Sequence, residues 1–275
     1  MGKIIVITGA TSGIGKTTRE LFEQRGDTVC SLARHDDGKS KNFYACDVSN
    51  EENVKTVFEE IGKKFGKIDI LINNAGFGIS GALELINSEQ IKNLYDVNLF
   101  GTIYCYKYGL KYMSSGGKIV NISSACALFP LPYRGYYCSS KSAVSMLSNC
   151  MRMECKPLGI DVVAVCPGDV KTNFTKNRVK NFETNERYGD RIKNATQGID
   201  GREDKRMKPD CVAKAIVKIC DKKKTKPYYI VGAKYKVLNF VMRFFPLATL
   251  LNSTEKLFGG HKKPKNSGKE QNYGR

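Results

Sequence analysis

The chain has 275 residues, 41% of them apolar and 26% charged, which is enough for a sizeable core and too ordinary a charge share for wholesale disorder. Its 45 Lys and Arg against 27 Asp and Glu give a net charge of +18. The excess is lopsided: residues 1–170 carry 19 basic and 17 acidic side chains, and residues 171–275 carry 26 and 10. Only two histidines, His35 and His261, are present, which argues against a His-rich metal site or a Ser-His-Asp triad, and no metal is expected.

Lys3–Thr8 reads as a continuous apolar strand. Ile14–Gln24 has helical spacing, with Ile14, Leu21 and Phe22 on one side. Thr28–Ala33 is the next strand, and Glu51–Phe65 a helix with Val54, Val57, Phe58 and Ile61 on one face. Ile68–Ile72 is again a strand, Ser88–Met113 a single long helix, and Lys118–Ser123 a strand. Tyr137–Glu154 is helical and Asp161–Cys166 a strand. Residues 173–209 show little periodicity and much charge, and read as an insertion or lid. Val212–Cys220 resumes a helix and Pro227–Val231 a last strand. Residues 235–251 are strongly apolar, interrupted by Arg243 and Pro246, and residues 261–275 read as a frayed basic tail.

Strand–helix alternation with near-continuous apolar strands implies an α/β fold, a doubly wound parallel sheet with helices on both faces. One domain over residues 1–255 is expected. In such sheets ligands sit beyond the carboxyl ends of the strands. A strand-like run starting at Lys3 leaves no secretory leader expected, and no apolar run reaches the ~18 residues that span a bilayer. The ten cysteines form no Cys-x-x-Cys, the closest pair being Cys150 and Cys155. They read as free buried thiols of a cytoplasmic chain.

The first strand runs into Thr8-Gly9-Ala10-Thr11-Ser12-Gly13-Ile14-Gly15. A strand, a glycine turn and a helix N-terminus together suit a pyrophosphate. This loop is followed by Asp47-Val48, Asn73-Asn74-Ala75-Gly76, Asn98, Ser123-Ser124, Tyr137-x-x-x-Lys141 and Pro167-Gly168-Asp169-Val170-x-Thr172. The ordered set resembles the short-chain dehydrogenase/reductase family, over roughly Lys3 to Val231. The resemblance implies a Rossmann-like fold in a single domain and a nicotinamide dinucleotide. Its holders would be Gly9, Thr11, Ser12, Gly13, Ile14 and Gly15, with Asp47 and Val48 at the adenine and Asn74, Ala75 and Gly76 at the ribose. Pro167, Gly168, Val170 and Thr172 would flank the nicotinamide.

The end of the second strand bears on cofactor choice. Ala33 stands where an acid would bond both ribose hydroxyls, followed by Arg34 and His35. Arg34 can fork onto a 2′-phosphate, which favours NADP(H). Asp36 or Asp37 on a shifted loop would allow NAD(H), and the direction of Lys16 is open.

Tyr137 and Lys141 are four apart on one helix face, so an ammonium can favour the phenolate of a proton-transferring tyrosine. By resemblance, Ser124 bonds the substrate oxygen, and Asn98 is the helix-kink asparagine whose backbone holds a relay water. The catalytic set is then Asn98, Ser124, Tyr137 and Lys141, with Tyr137 and Lys141 also touching the cofactor.

Phe77, Ala125, Phe129, Leu131, Tyr133 and Asp169 are the substrate-side candidates. Most of them are apolar or aromatic, and this, with the likeness of 77–85 and 127–141 to the subgroup of 17β-hydroxysteroid and retinol dehydrogenases, implies a steroid-, retinoid- or lipid-like alcohol or ketone. The resemblance also implies a homo-dimer or homo-tetramer through the two long helices, with Leu94, Val97, Leu99, Val144, Met146 and Leu147 on their apolar faces. Residues 235–251 read as one C-terminal apolar helix with two placements: a cap on the cleft, or a peripheral contact with an anionic membrane through Lys234, Lys236 and Arg243. No nucleic-acid motif is present. A dinucleotide sensor without turnover and a basic membrane-surface adaptor are the alternative functions.

Overall fold

The computed structural model describes residues 2–172, 174, 178–200 and 206–261. Seven parallel strands form the central sheet. They are β1 (Ile4–Thr8), β2 (Thr28–Ala33), β3 (Asn42–Ala45), β4 (Ile70–Asn73), β6 (Lys118–Ile122), β7 (Asp161–Pro167) and β9 (Tyr228–Val231), in the order β3-β2-β1-β4-β6-β7-β9. The order reverses between β1 and β4, so the crevice beyond Thr8 and Asn73 is the place for a ligand. A separate two-stranded ladder pairs β5 (Ile79–Ser80) with β8 (Val179–Lys180).

The apolar run of β1 divides by alternation. Ile5 and Ile7 face one layer with Phe22, Ile72, Val163, Val212 and Ile216. Val6 faces the other with Val54, Phe58, Leu71 and Met151. The first layer is covered by α1 (Gly13–Gln24) and α7 (Pro209–Cys220). The second is covered by α2 (Glu51–Phe65), by α3 and α4 (Ser88–Tyr95 and Gly101–Gly109), and by α5 (Gly135–Cys155). The result is a doubly wound, Rossmann-like α/β domain.

The structure corrects three expectations. The single helix over 88–113 is interrupted by a π-helical turn at Asp96–Phe100 and ends in a 3₁₀ turn at Leu110–Tyr112. The extra residue swings Asn98 into a fully buried position. Strand β3 was not anticipated, because it is a half-buried edge of four residues. The apolar stretch 235–251 is two helices, α8 (Ala233–Val241) and α9 (Leu247–Phe258), broken by a 3₁₀ turn at Met242–Phe244 and by Pro246. Between β8 and α7 lies α6 (Arg191–Asp200). Part of the expected lid, residues 173, 175–177 and 201–205, and the tail from 262 onward lie outside the described residues. All ten cysteines are free, and among the described residues no helix is long and apolar enough to cross a membrane.

Candidate active site

One cavity of about 740 Å³ runs along the carboxyl ends of the strands, from Arg34 and Asp47 at one end to α9 at the other. Its first wall is the turn after β1. Gly9 and Gly13 have φ of 63° and 52°, values that favour glycine. Ser12 caps α1 in an extended conformation with no side-chain bond. The N–H of Lys16 reaches back to the Ser12 carbonyl (3.1 Å), so the amides ahead of it have no intrahelical partner. Gly15 does not line the cavity: a Cβ there would lie 2.2 Å from the Gly9 carbonyl oxygen and 2.5 Å from Asn74 Nδ2. Asn74 holds the turn, donating from Nδ2 to the carbonyls of Thr8 (3.0 Å) and Gly9 (3.2 Å). Thr8 Oγ1 accepts from the N–H of Asn74 and of Ala75, both at 2.9 Å. Thr172 packs on Gly13, where a Cβ would come within 3.3 Å of its side chain.

At the end of β2, Ala33, Arg34 and His35 line the rim, and Arg34 is exposed. Asp37 is engaged elsewhere: the buried Arg19 donates Nη1 to its Oδ1 (3.0 Å) and Nη2 to its Oδ2 (2.9 Å). Those bonds hold the Asp37 carboxyl down at about 2. Lys16 Nζ approaches the same carboxylate at 4.0 Å, which settles its direction. Asp47 is fixed by Ser49, whose N–H (3.0 Å) and hydroxyl (2.6 Å) donate to Oδ1.

Of the expected reacting groups, Ser124, Tyr137 and Lys141 line the same cavity as the glycine turn. Ser124 caps a 3₁₀ turn (Ala125–Ala127), its Oγ accepting from the Cys126 N–H at 3.1 Å. Ser123 is tied into the scaffold instead, donating to the Lys141 carbonyl and sharing a bond with Ser145, both at 2.8 Å. Tyr137 and Lys141 line the same cavity from α5. Burial pushes the Tyr137 phenol above its ordinary value; Cys126 and Cys138 add to this, while a bond to Ser124 and the charge of Arg134 oppose it. Lys141 is 4% exposed, its Nζ donates to the Ile122 carbonyl at 2.9 Å, and burial lowers it to about 8. Asn98 does not line the cavity. It clamps Phe77, whose N–H donates to Oδ1 and whose carbonyl accepts from Nδ2, both at 3.0 Å, and it also donates to Ser140 Oγ (3.1 Å). Its own carbonyl accepts from Thr102 (3.1 Å). A Cβ on Gly76 would meet Asn98 Oδ1 at 2.8 Å and Lys141 Nζ at 3.2 Å, so the small residue leaves both groups beside the cavity wall.

Residues 3–183 match the family model for short chain dehydrogenases. The chain belongs to the short-chain dehydrogenase family. It is 38% identical to a 3-ketodihydrosphingosine reductase of Bacteroides thetaiotaomicron, over 80% of this chain and 84% of that one. It is 34% identical to a 3beta-hydroxysteroid dehydrogenase of Mediterraneibacter gnavus, over 66% of this chain and 71% of that one. The solved structure of ElxO with NADP bound matches with a TM-score of 0.72 and 30% identity, covering 86% of this chain and all of that chain (100%). This short-chain dehydrogenase is therefore an oxidoreductase of CH–OH and keto groups, working on small molecules with a nicotinamide dinucleotide. The unpaired amides at the start of α1, the cradle that a Cβ at Gly13 would fill, and the wall at Gly76 fit such a group.

Further cavity residues of this short-chain dehydrogenase are not among the individual sequence candidates, although Phe174 falls in the expected lid and Leu238, Met242 and Leu250 in the stretch expected as a cap. Phe174 lies against Tyr137 with ring centroids 5.7 Å apart, and Leu238, Met242, Leu250 and Leu257 wall the far end. Tyr235 packs on Gly168, where a Cβ would fall 2.0 Å from its ring, and donates its hydroxyl to Asp169 Oδ2 at 2.7 Å. Arg134 also lines the cavity.

Proposed function

We propose that this chain is an NADP(H)-dependent oxidoreductase that interconverts a secondary alcohol and a ketone on a hydrophobic substrate, with Tyr137 as general acid and base. The observation that supports this reading is that Ser124, Tyr137, Lys141 and the glycine turn border one cavity whose far wall is apolar. When bound, the reduced nicotinamide supplies a hydride to the carbonyl carbon. Tyr137 donates its phenolic proton to the carbonyl oxygen. Its upward shift by burial keeps the phenol protonated at neutral pH, as an acid must be. Ser124 orients that oxygen. Lys141 holds the cofactor ribose and, with Asn98, returns a proton to the phenolate. Asn98 serves this by pinning Phe77 and Ser140 around Lys141.

The NADP(H) preference draws support from β2. Arg34 borders the cavity, whereas Asp37 is held by Arg19 and Asp36, which accepts from the Gly38 N–H, does not border it, so a guanidinium and not a carboxylate faces the place of a 2′-phosphate. From the expected lid, Phe174, Arg178 and Arg206 border the cavity, which supports a place for those residues over the substrate. Leu94, packed with Ile79 and Ile86, and Val144 are buried, whereas Met146, Met153 and Phe100 are exposed on the same helical layer, a face suited to a second copy in a homo-dimer. The C-terminal helices wall the cavity on one side. On the other they expose Phe240 (62%), Phe244 (70%) and Leu247 (65%), beside Lys234, Lys236 and Arg243. That combination suits peripheral contact with an anionic bilayer.

The deciding assay follows NADPH and NADH oxidation side by side with steroid, retinoid and long-chain ketones. Tyr137→Phe should lower kcat by roughly 10³-fold with dinucleotide binding retained. Near-normal turnover in that variant would remove Tyr137 from the mechanism.

A further inference from the structure

The Arg134 side chain is 6% exposed, and its Nη2 is shut off from water with no hydrogen-bond partner. The main chain at this position is satisfied: the N–H donates to the Leu131 carbonyl at 3.2 Å, and the carbonyl accepts from the Cys138 N–H at 2.9 Å. No ion pair completes the guanidinium among the described residues. Of the two carboxylates on the cavity wall, Asp47 accepts from Ser49 and Asp169 Oδ2 accepts from the Tyr235 hydroxyl. The residue just before, Tyr133, is held at φ 60°, a strained value for a bulky side chain. It is kept there by the Gly81 N–H, which donates to its carbonyl at 2.9 Å, and by an edge-on contact with Tyr188. An unpaired buried cation is costly, and this one lines the cavity beside Tyr137, where its charge is felt by the phenol and by the Cys126 thiol.

We infer that Arg134 is an anion subsite at the substrate end of the cavity, and that the substrate is an amphiphile with an apolar body and a carboxylate close to the reacting carbonyl. The inference rests on the ketone-reducing reading and narrows it. A planar guanidinium takes both oxygens of a carboxylate, and a low-dielectric wall strengthens the pair. An ammonium head at the same position is repelled.

Two measurements test this. In calorimetry on the NADPH complex, decanoate should bind more tightly than decanol. Arg134→Gln should weaken decanoate binding roughly 30-fold while leaving decanol unchanged, with Arg134→Lys recovering part of the loss. In turnover, kcat/KM for 3-oxodecanoate should fall by a similar factor in Arg134→Gln, with methyl 3-oxodecanoate unaffected. Equal binding of decanoate and decanol by the unmodified protein, which needs no variant to fold, would overturn the subsite, as would an equal loss on acid and ester. Decanoate binding that depends on Arg134 without turnover of any ketone would keep the subsite and remove the ketone-reducing reading.

Discussion

The two ends of the cavity are built differently. Around the glycine turn, polar side chains are bonded to the main chain of another element: Asn74 to Thr8 and Gly9, Asn98 to Phe77, Ser123 and Lys141 to α5 and β6. At the far end the wall is Leu238, Met242, Leu250 and Leu257, with side-chain ties such as Tyr235 to Asp169 and Arg243 to Tyr228 (3.2 Å). Directional bonds fix the groups that must meet a reacting atom to within a fraction of an ångström. Non-directional apolar packing shapes a wall without fixing it. On the proposed function, the contrast puts the chemistry at the end fixed by directional bonds and the substrate at the end shaped by packing.

Three changes sharpen that contrast. The largest is expected at Lys141. Lys141→Met should lower kcat by roughly 10³-fold and, without dinucleotide, make the protein more stable. The ammonium, ordinarily at 10.5, is lowered to about 8, so below pH 8 its charge is retained against the cost of burial. That penalty fades as pH rises from about 8 towards 10.5, where the unfolded chain still binds the proton and the folded one does not. After allowing for the lost bond to Ile122, a gain of about 2 kcal/mol at pH 7 is expected, shrinking above pH 8. Denaturant titrations at pH 7 and pH 10 check it; equal stability of the two proteins at both would show that burial is not the source of the shift.

A smaller effect is expected at the cofactor rim. Arg34→Ser should raise KM for NADPH about tenfold and leave KM for NADH within about twofold. A parallel rise for both would move the 2′-phosphate contact elsewhere. The smallest effect concerns the outer helices. Phe240→Ser, Phe244→Ser and Leu247→Ser together should cut sedimentation with phosphatidylglycerol vesicles roughly tenfold, with turnover of a water-soluble ketone within about twofold. A change of oligomeric state by light scattering, with vesicle binding untouched, would make this face a contact between copies.

The strands were legible within a residue or two because their apolar runs are bounded by Gly, Asn and charge. β3, β5 and β8 were not, since Asn42–Ala45 is short and half-buried and Ile79–Ser80 and Val179–Lys180 have two residues each, too few to show a period. The turn at Asp96–Phe100 escaped because one extra residue in a helix only shifts the phase of the apolar stripe. The break at Pro246 was visible as chemistry, but its consequence, two helices in place of one, needed the packing. Among site residues, those attached to strand ends carried their spacing in the sequence. Arg134, Phe174 and Tyr235 did not: their roles come from which side chains the fold leaves unpaired or stacks together, and no local pattern records that.

Gly168 lies under the Tyr235 ring so closely that nothing beyond a hydrogen fits between them. The turn proposed to lie under the nicotinamide is therefore in direct contact with the first turn of the outermost helices. Any side chain at position 168 would have to displace Tyr235, so the seating of α8 on the domain depends on a bare backbone at that one residue.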